Sequence, residues 1–244
     1  MNLRRTFATA GRVLAQIGHD PRTIGLLLVV PSLLIGLMAW LFADTEVFDL
    51  VGPAMIALFP FIIMFLITSI TTLRERKGGT LERLLALPTG KLDFILGYTL
   101  AFGLLAIAQS SIAVGFAVWV CGLEIEGSMW LLLAVAIADA VLGTALGLLA
   151  SAFAQTEFQV IQFMPALVFP QILLGGVFLA REDMPDVLHA ISDWLPLSHA
   201  IDALNAVARD SEDAAYVGLK LLIIAAFIVG AIVLGSITLR RRTP

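Results

Sequence analysis

Six long apolar stretches divide this chain, at about 24–43, 51–73, 94–121, 128–154, 160–180 and 216–239, and most polar and charged residues fall between them. Each matches or exceeds the roughly 20 residues an α-helix needs to cross a hydrocarbon core. Hydrocarbon offers no hydrogen-bond partners, so a spanning segment must satisfy its own backbone; the pattern therefore predicts an all-α membrane protein of six transmembrane helices. Pro31, Pro53, Pro60, Pro165 and Pro170 lie inside these stretches. A span tolerates proline where neighbouring groups satisfy the freed carbonyls.

Two polar segments have a pattern of their own. In residues 3–22, Phe7, Ala10, Leu14 and Ile17 recur at three- and four-residue steps, with Arg4, Arg5, Arg12, Gln16 and His19 off that ridge. This predicts an amphipathic helix lying in the membrane interface, broken at Asp20-Pro21. The second segment, 74–93, joins the second and third spans and carries five of the fifteen Lys and Arg residues. Gly78-Gly79 interrupts the helix leaving the second span. Thr80 then suits an N-cap, Leu81, Leu84 and Leu85 form an apolar stripe, and Pro88 ends the element. Such a helix can seat in a groove on a soluble partner, or lie on the bilayer or the protein's own spans.

Composition agrees with a membrane protein. The chain has 244 residues, 59% hydrophobic and 14% charged, against about 45–50% and about 25% in soluble domains. Mean hydropathy is +0.97. Twelve of the fifteen basic residues fall on the side of the termini and the 74–93 segment; Arg181, Arg209 and Lys220 fall on or near the other. The positive-inside rule then puts both termini and that segment in the cytoplasm. The expected outer loops are acidic, with Asp44, Glu46, Asp49, Glu124, Glu126 and eight more carboxylates between 182 and 213. The first apolar run has span length and no A-x-A site after it, so it is expected to be retained rather than cleaved.

Chemistry-bearing residues are few. Asp139 stands alone near the middle of the fourth span, in line with Gly143, Gly147 and Ser151 at four-residue steps. A central Asp costs about 2.5–3.5 kcal/mol to insert, and small residues at that spacing let helices approach. Asp139 is therefore expected to face protein, either on a substrate path or as a packing acid. Gln162 and Gln171 make the fifth span polar and could line the same path or act as packing groups. Cys121 is the single cysteine, and His19, His189 and His199 are dispersed across the two sides, so no metal set is expected. The in-span serines have no in-span His partner, against an intramembrane enzyme. Gly90-Lys91 lacks the rest of a P-loop, so ATP is not expected to bind this chain by that route. An ion-coupled secondary transporter using Asp139 is the alternative, and it leaves the 74–93 helix unexplained.

The order of elements, with Arg74-Glu75-Arg76-Lys77-Gly78-Gly79-Thr80-Leu81-Glu82-Arg83-Leu84-Leu85-Ala86-Leu87-Pro88-Thr89 between spans two and three, resembles the permeases of type-2 ABC exporters. A second match runs through Leu174-Gly175-Gly176-Val177-Phe178, Met184-Pro185 and 194–204, although the family's usual basic residue is replaced by Asn205. The resemblance implies a single permease domain over 1–244, a cytoplasmic coupling helix between spans two and three, and outer re-entrant helices between spans five and six. It assigns Glu75, Arg76, Gly79, Thr80, Glu82 and Pro88 to coupling with an ABC ATP-binding subunit. ATP and magnesium are then expected in that partner, with none bound here. It also implies a second permease subunit as a homodimer, no nucleic-acid partner, and a multi-pass location in a prokaryotic cytoplasmic membrane.

Overall fold

Asp20 sets the first junction of the fold. Its carboxylate accepts from the backbone N–H of Arg22 at 3.1 Å and of Thr23 at 3.3 Å, and Pro21 takes the first helical position. These groups end α1 (Leu3–Gly18) and start α2 (Pro21–Leu41) as a separate helix. The computed structural model describes residues 3–43, 45–78 and 91–238. Gly79, Thr80, Glu82 and Pro88, with the expected coupling helix, lie outside the described residues.

The helices that follow are α3 (Val47–Lys77), α4 (Lys91–Trp119), α5 (Met129–Phe153), α6 (Glu157–Leu174), α7 (Asp186–Ser192), α8 (Pro196–Ala208) and α9 (Ala214–Thr238). Six of them, α2 to α6 and α9, are long and apolar enough to cross a membrane. The internal prolines stay within helices α2, α3 and α6.

The tightest seam runs between α3 and α5. A Cβ on Gly143 would meet the Phe61 carbonyl oxygen at 2.5 Å, and one on Gly147 would meet that of Phe65 at 2.6 Å. The glycines thus let the two backbones touch, as the small-residue line in the sequence anticipates. α5 also packs on α4 and α9.

Two expectations need correction. The fifth span was expected to reach residue 180, but α6 stops at Leu174. Gly175 follows, and Gly176 has φ +88, a left-handed conformation that a side chain resists, so the chain turns there. The expected ridge is borne out in part: Ala10 and Ile17 are buried and Leu14 packs beside them, but Thr6 and Val13 complete the buried stripe while Phe7 lies outside it. α1 packs against α4, where a Cβ on Gly97 would lie 2.6 Å from Thr9 Cβ. Phe7 and Leu3 are each 62% exposed. Phe7, Ala10, Val13, Leu14 and Ile17 form one continuous apolar face at 100° per residue, and the helix is rolled so that its Val13 side packs against the bundle while Phe7 at the other edge stays outside.

Between the last two spans come a 3-10 turn (Arg181–Asp183), α7 and α8. α8 is buried along most of its length against α3, α5 and α9.

Candidate functional site

Arg74-Glu75-Arg76 lies in the last turns of α3, immediately before the segment expected to couple. At 100° per residue, three consecutive positions point in three directions. Each of these side chains meets a different helix.

Arg74 makes a two-pronged contact with Glu157 in the first turn of α6, Nε to Oε1 at 2.8 Å and Nη2 to Oε2 at 3.0 Å. Both partners are substantially exposed, so the pair is worth about 0–1 kcal/mol. Glu157 also follows the Thr156 N-cap, where a carboxylate suits the positive end of a helix. Arg76 donates through Nη1 to the backbone carbonyl of Ser151 on α5.

Glu75 turns inward. Its side chain is 5% exposed, and its Oε1 accepts from Arg12 Nη1 at 2.9 Å. Arg12 projects from α1, and its Nη2 donates to Tyr98 Oη on α4 at 3.0 Å. The Arg12 guanidinium also lies 5.9 Å from the Tyr98 ring centre, within cation–π range. Burial works against the charged guanidinium, but the Glu75 and Tyr98 contacts outweigh it and raise the Arg12 pKa above its ordinary value. The site thus ties the end of α3 to α6 through Arg74, to α1 and α4 through Glu75, and to α5 through Arg76.

Of the residues singled out in the sequence, Glu75 and Arg76 are brought together here. Gly79, Thr80, Glu82 and Pro88 lie outside the described residues. Arg12, Tyr98, Ser151 and Glu157 complete the junction and were not anticipated. Arg12 had one signal, as a charged residue on α1 off its apolar ridge. Tyr98 had another, a phenol near the start of the third span.

The polar in-span residues stand elsewhere and do not form one site. Asp139 is fully buried on the α5 line that faces α3, and neither carboxylate oxygen has a hydrogen-bond partner among the described residues. Gln162 and Gln171 are nine positions apart, which puts them on opposite faces of α6. Gln162 is exposed. Gln171 is buried: its Oε1 accepts from the Leu197 backbone N–H at 3.1 Å and its Nε2 donates to the Leu167 carbonyl at 2.8 Å. It caps the start of α8 and so joins the fifth span to the segment after it.

A family model described as ABC-2 type transporter matches residues 4–208. The chain is similar to ABC transporter G family member 20 of Dictyostelium discoideum, 26% identical over 164 residues, which is 67% of this chain and 22% of that protein. It is also similar to the probable multidrug ABC transporter permease YbhR of Escherichia coli (strain K12), 28% identical over 157 residues, covering 64% of this chain and 43% of the relative. The inner membrane transport permease YhhJ of the same organism is 25% identical over 146 residues, 59% of this chain and 39% of its own length. The matched parts amount to less than half the length of each of these relatives.

Proposed function

The chain belongs to the ABC-2 type transporter family, and from that premise we propose that it is the membrane subunit of an ATP-driven exporter, worked by a separate ATP-binding subunit. The observation that carries the reading is the junction at Arg74-Glu75-Arg76. A push delivered at 79–90 reaches the last turn of α3 first. That turn is fastened to α1, α4, α5 and α6 by side chains from three successive residues. A displacement there is delivered to several helices together rather than absorbed by one. Packed side chains and hydrogen-bond networks of this kind are what carry coupling between distant sites.

Within this reading Glu75 is a positioning residue. It holds the junction through Arg12, and direct seating in the partner falls to the 79–90 segment with Thr80, Glu82 and Pro88. A second permease subunit, forming a homodimer, completes the pathway. The mostly exposed faces of α6 and α9 offer the surface for it. Magnesium and ATP belong to the partner. The exposed Gln162 is a polar point available to the route, and Asp139, buried on the α5 side facing α3, is the further candidate that its Asn variant tests.

The test is co-purification of the tagged chain from its native membrane in mild detergent, followed by an ATPase assay. An ATP-binding subunit is expected to come with it, and Glu82→Lys should abolish that association while sparing membrane insertion. Association and transport at wild-type levels in Glu82→Lys would sink the coupling claim.

A further inference from the structure

α6 stands apart from the other five spans. It is the least apolar of the six, yet with α9 it is the one least covered by the rest of the chain. Polar groups turned toward hydrocarbon are costly, so a lipid-facing surface is expected to be apolar. α2 and α9 fit that rule: within 24–41 and 216–238 every exposed residue is apolar. α6 breaks it. Away from the helix ends, Gln162 is the one exposed polar side chain on the six spans among the described residues.

The backbone of the same helix adds a second, independent signal. Pro165 and Pro170 have no N–H, so the carbonyls of Ile161 and Ala166, four residues before them, lose their helical partners. Among the described residues no side chain donates to either one; Gln171 donates instead to the Leu167 carbonyl. Ile161, Gln162 and Ala166 are all exposed. Counted along the helix from Glu157, Gln162 lies about 8 Å into the span and Ala166 about 14 Å. Hydrocarbon offers neither the amide nor the carbonyls a partner at that depth. Gln162, Ala166, Phe169 and Leu173 follow one another at four- and three-residue steps, so they make one exposed line.

We propose that a second copy of this chain packs along that line, α6 against α6, with Gln162 at the centre of the contact. Two copies inserted the same way in one membrane are related by a two-fold axis along the membrane normal, which brings identical residues to the same depth. Gln162 of the partner subunit then stands level with the Ile161 carbonyl and one turn below that of Ala166. Each side presents an amide, which both donates and accepts, and two carbonyls, which accept. Such a set answers itself, as an isologous contact requires. Ala166 adds little bulk, so the two backbones can approach closely. α2 and α9 are left facing lipid. The second subunit comes from the function proposed above; its place on α6 rests on Gln162 and the two prolines.

Single cysteines placed in a Cys121→Ser background test the contact in native membranes. Gln162→Cys and Ala166→Cys sample the line on α6, and Leu222→Cys and Val229→Cys sample α9. All four positions are exposed, so the substitutions leave the packed interior untouched. After oxidation with copper phenanthroline, a disulfide-linked dimer is expected from both α6 variants and from neither α9 variant. Dimers through α9 alone would overturn the α6 contact. So would Gln162→Cys that stays monomeric on oxidation but reacts with a charged thiol reagent, because the line would then face water. Co-purification of an ATP-binding subunit is read separately: its recovery beside a dimer linked through α9 would sink the α6 contact and leave the exporter reading standing. A link through α6 with no such subunit would uphold the contact and count against the exporter.

Discussion

Arg12 Nη1 stands 2.9 Å from Glu75 Oε1, joining side chains 63 positions apart in sequence. One belongs to the amphipathic N-terminal helix and the other to the last turn of the second span. Glu75 has the sequence context of an exposed docking residue, yet the fold turns it inward onto an arginine.

That pair predicts an asymmetric mutational outcome. Removing Arg12 as Arg12→Gln strands a buried carboxylate and is expected to cost on the order of 2–3 kcal/mol, because the arginine is one-third exposed and some water reaches the site. Glu75→Gln keeps the shape and should cost less. The exchange Arg12→Glu with Glu75→Arg should recover part of what each reversal loses alone. Thermal melts of the wild type, both single reversals and the exchange would measure it, and simple addition of the single costs in the exchange would refute the pairing.

The α3–α5 seam predicts a positional contrast among glycines. Gly143→Ala or Gly147→Ala places a methyl group within 2.5–2.6 Å of a backbone carbonyl, which cannot move aside as a flexible side chain could. Overpacking of this kind is expected to cost about 1–3 kcal/mol and to lower the amount of well-folded protein. Gly218→Ala and Gly230→Ala meet nothing within 4 Å and should be silent or slightly stabilising. Gel-filtration profiles and melting temperatures compare the two classes.

His199 predicts a pH dependence. It is 5% exposed, and its Nε2 donates to the Asp193 carbonyl at 2.9 Å. Burial disfavours its charged form, and Lys220 and Arg181 add to that, so its pKa falls below the usual 6.5 despite opposing effects of the Asp193 carbonyl and Asp202. The folded state binds a proton less readily than the unfolded chain. Stability from neutral His199 is therefore present above about pH 6.5 and is lost as pH falls through that value and then through the lower folded pKa. The melting temperature should drop on acidification from pH 7.5 to 5. His199→Gln should flatten that part of the profile; an unchanged slope would assign it to other groups.

Asp139 has no cation and no hydrogen-bond donor on its carboxylate among the described residues. Asp139→Asn replaces a buried carboxyl by an amide of the same shape without breaking a pair, so its melting temperature is expected to stay close to that of the wild type. A fall of several degrees would reveal a partner. Transport by the same variant separates the two roles: lost transport with an intact melt marks a group on the route, and full transport marks a packing residue.

The six spans, the one-sided distribution of basic residues and the family relationship are legible in the amino-acid sequence alone. Each rests on local or summed properties, the run length of apolar residues, the charge between runs, and a contiguous motif, that hold whichever helix touches which. Even the burial of Asp139 is legible there, since small residues at four-residue steps mark a contact face of the same helix. The tertiary structure alone decided partnerships. It turned Glu75 toward Arg12, set Gln171 to cap α8 while Gln162 faces out, and buried Val13 in place of Phe7. It also drew Arg181, Arg209 and Lys220 from distant stretches into one cavity. Hydropathy states that a side chain leaves water. Which neighbour receives it depends on helix azimuth and on close approach between segments many residues apart, and those are settled only when the helices pack.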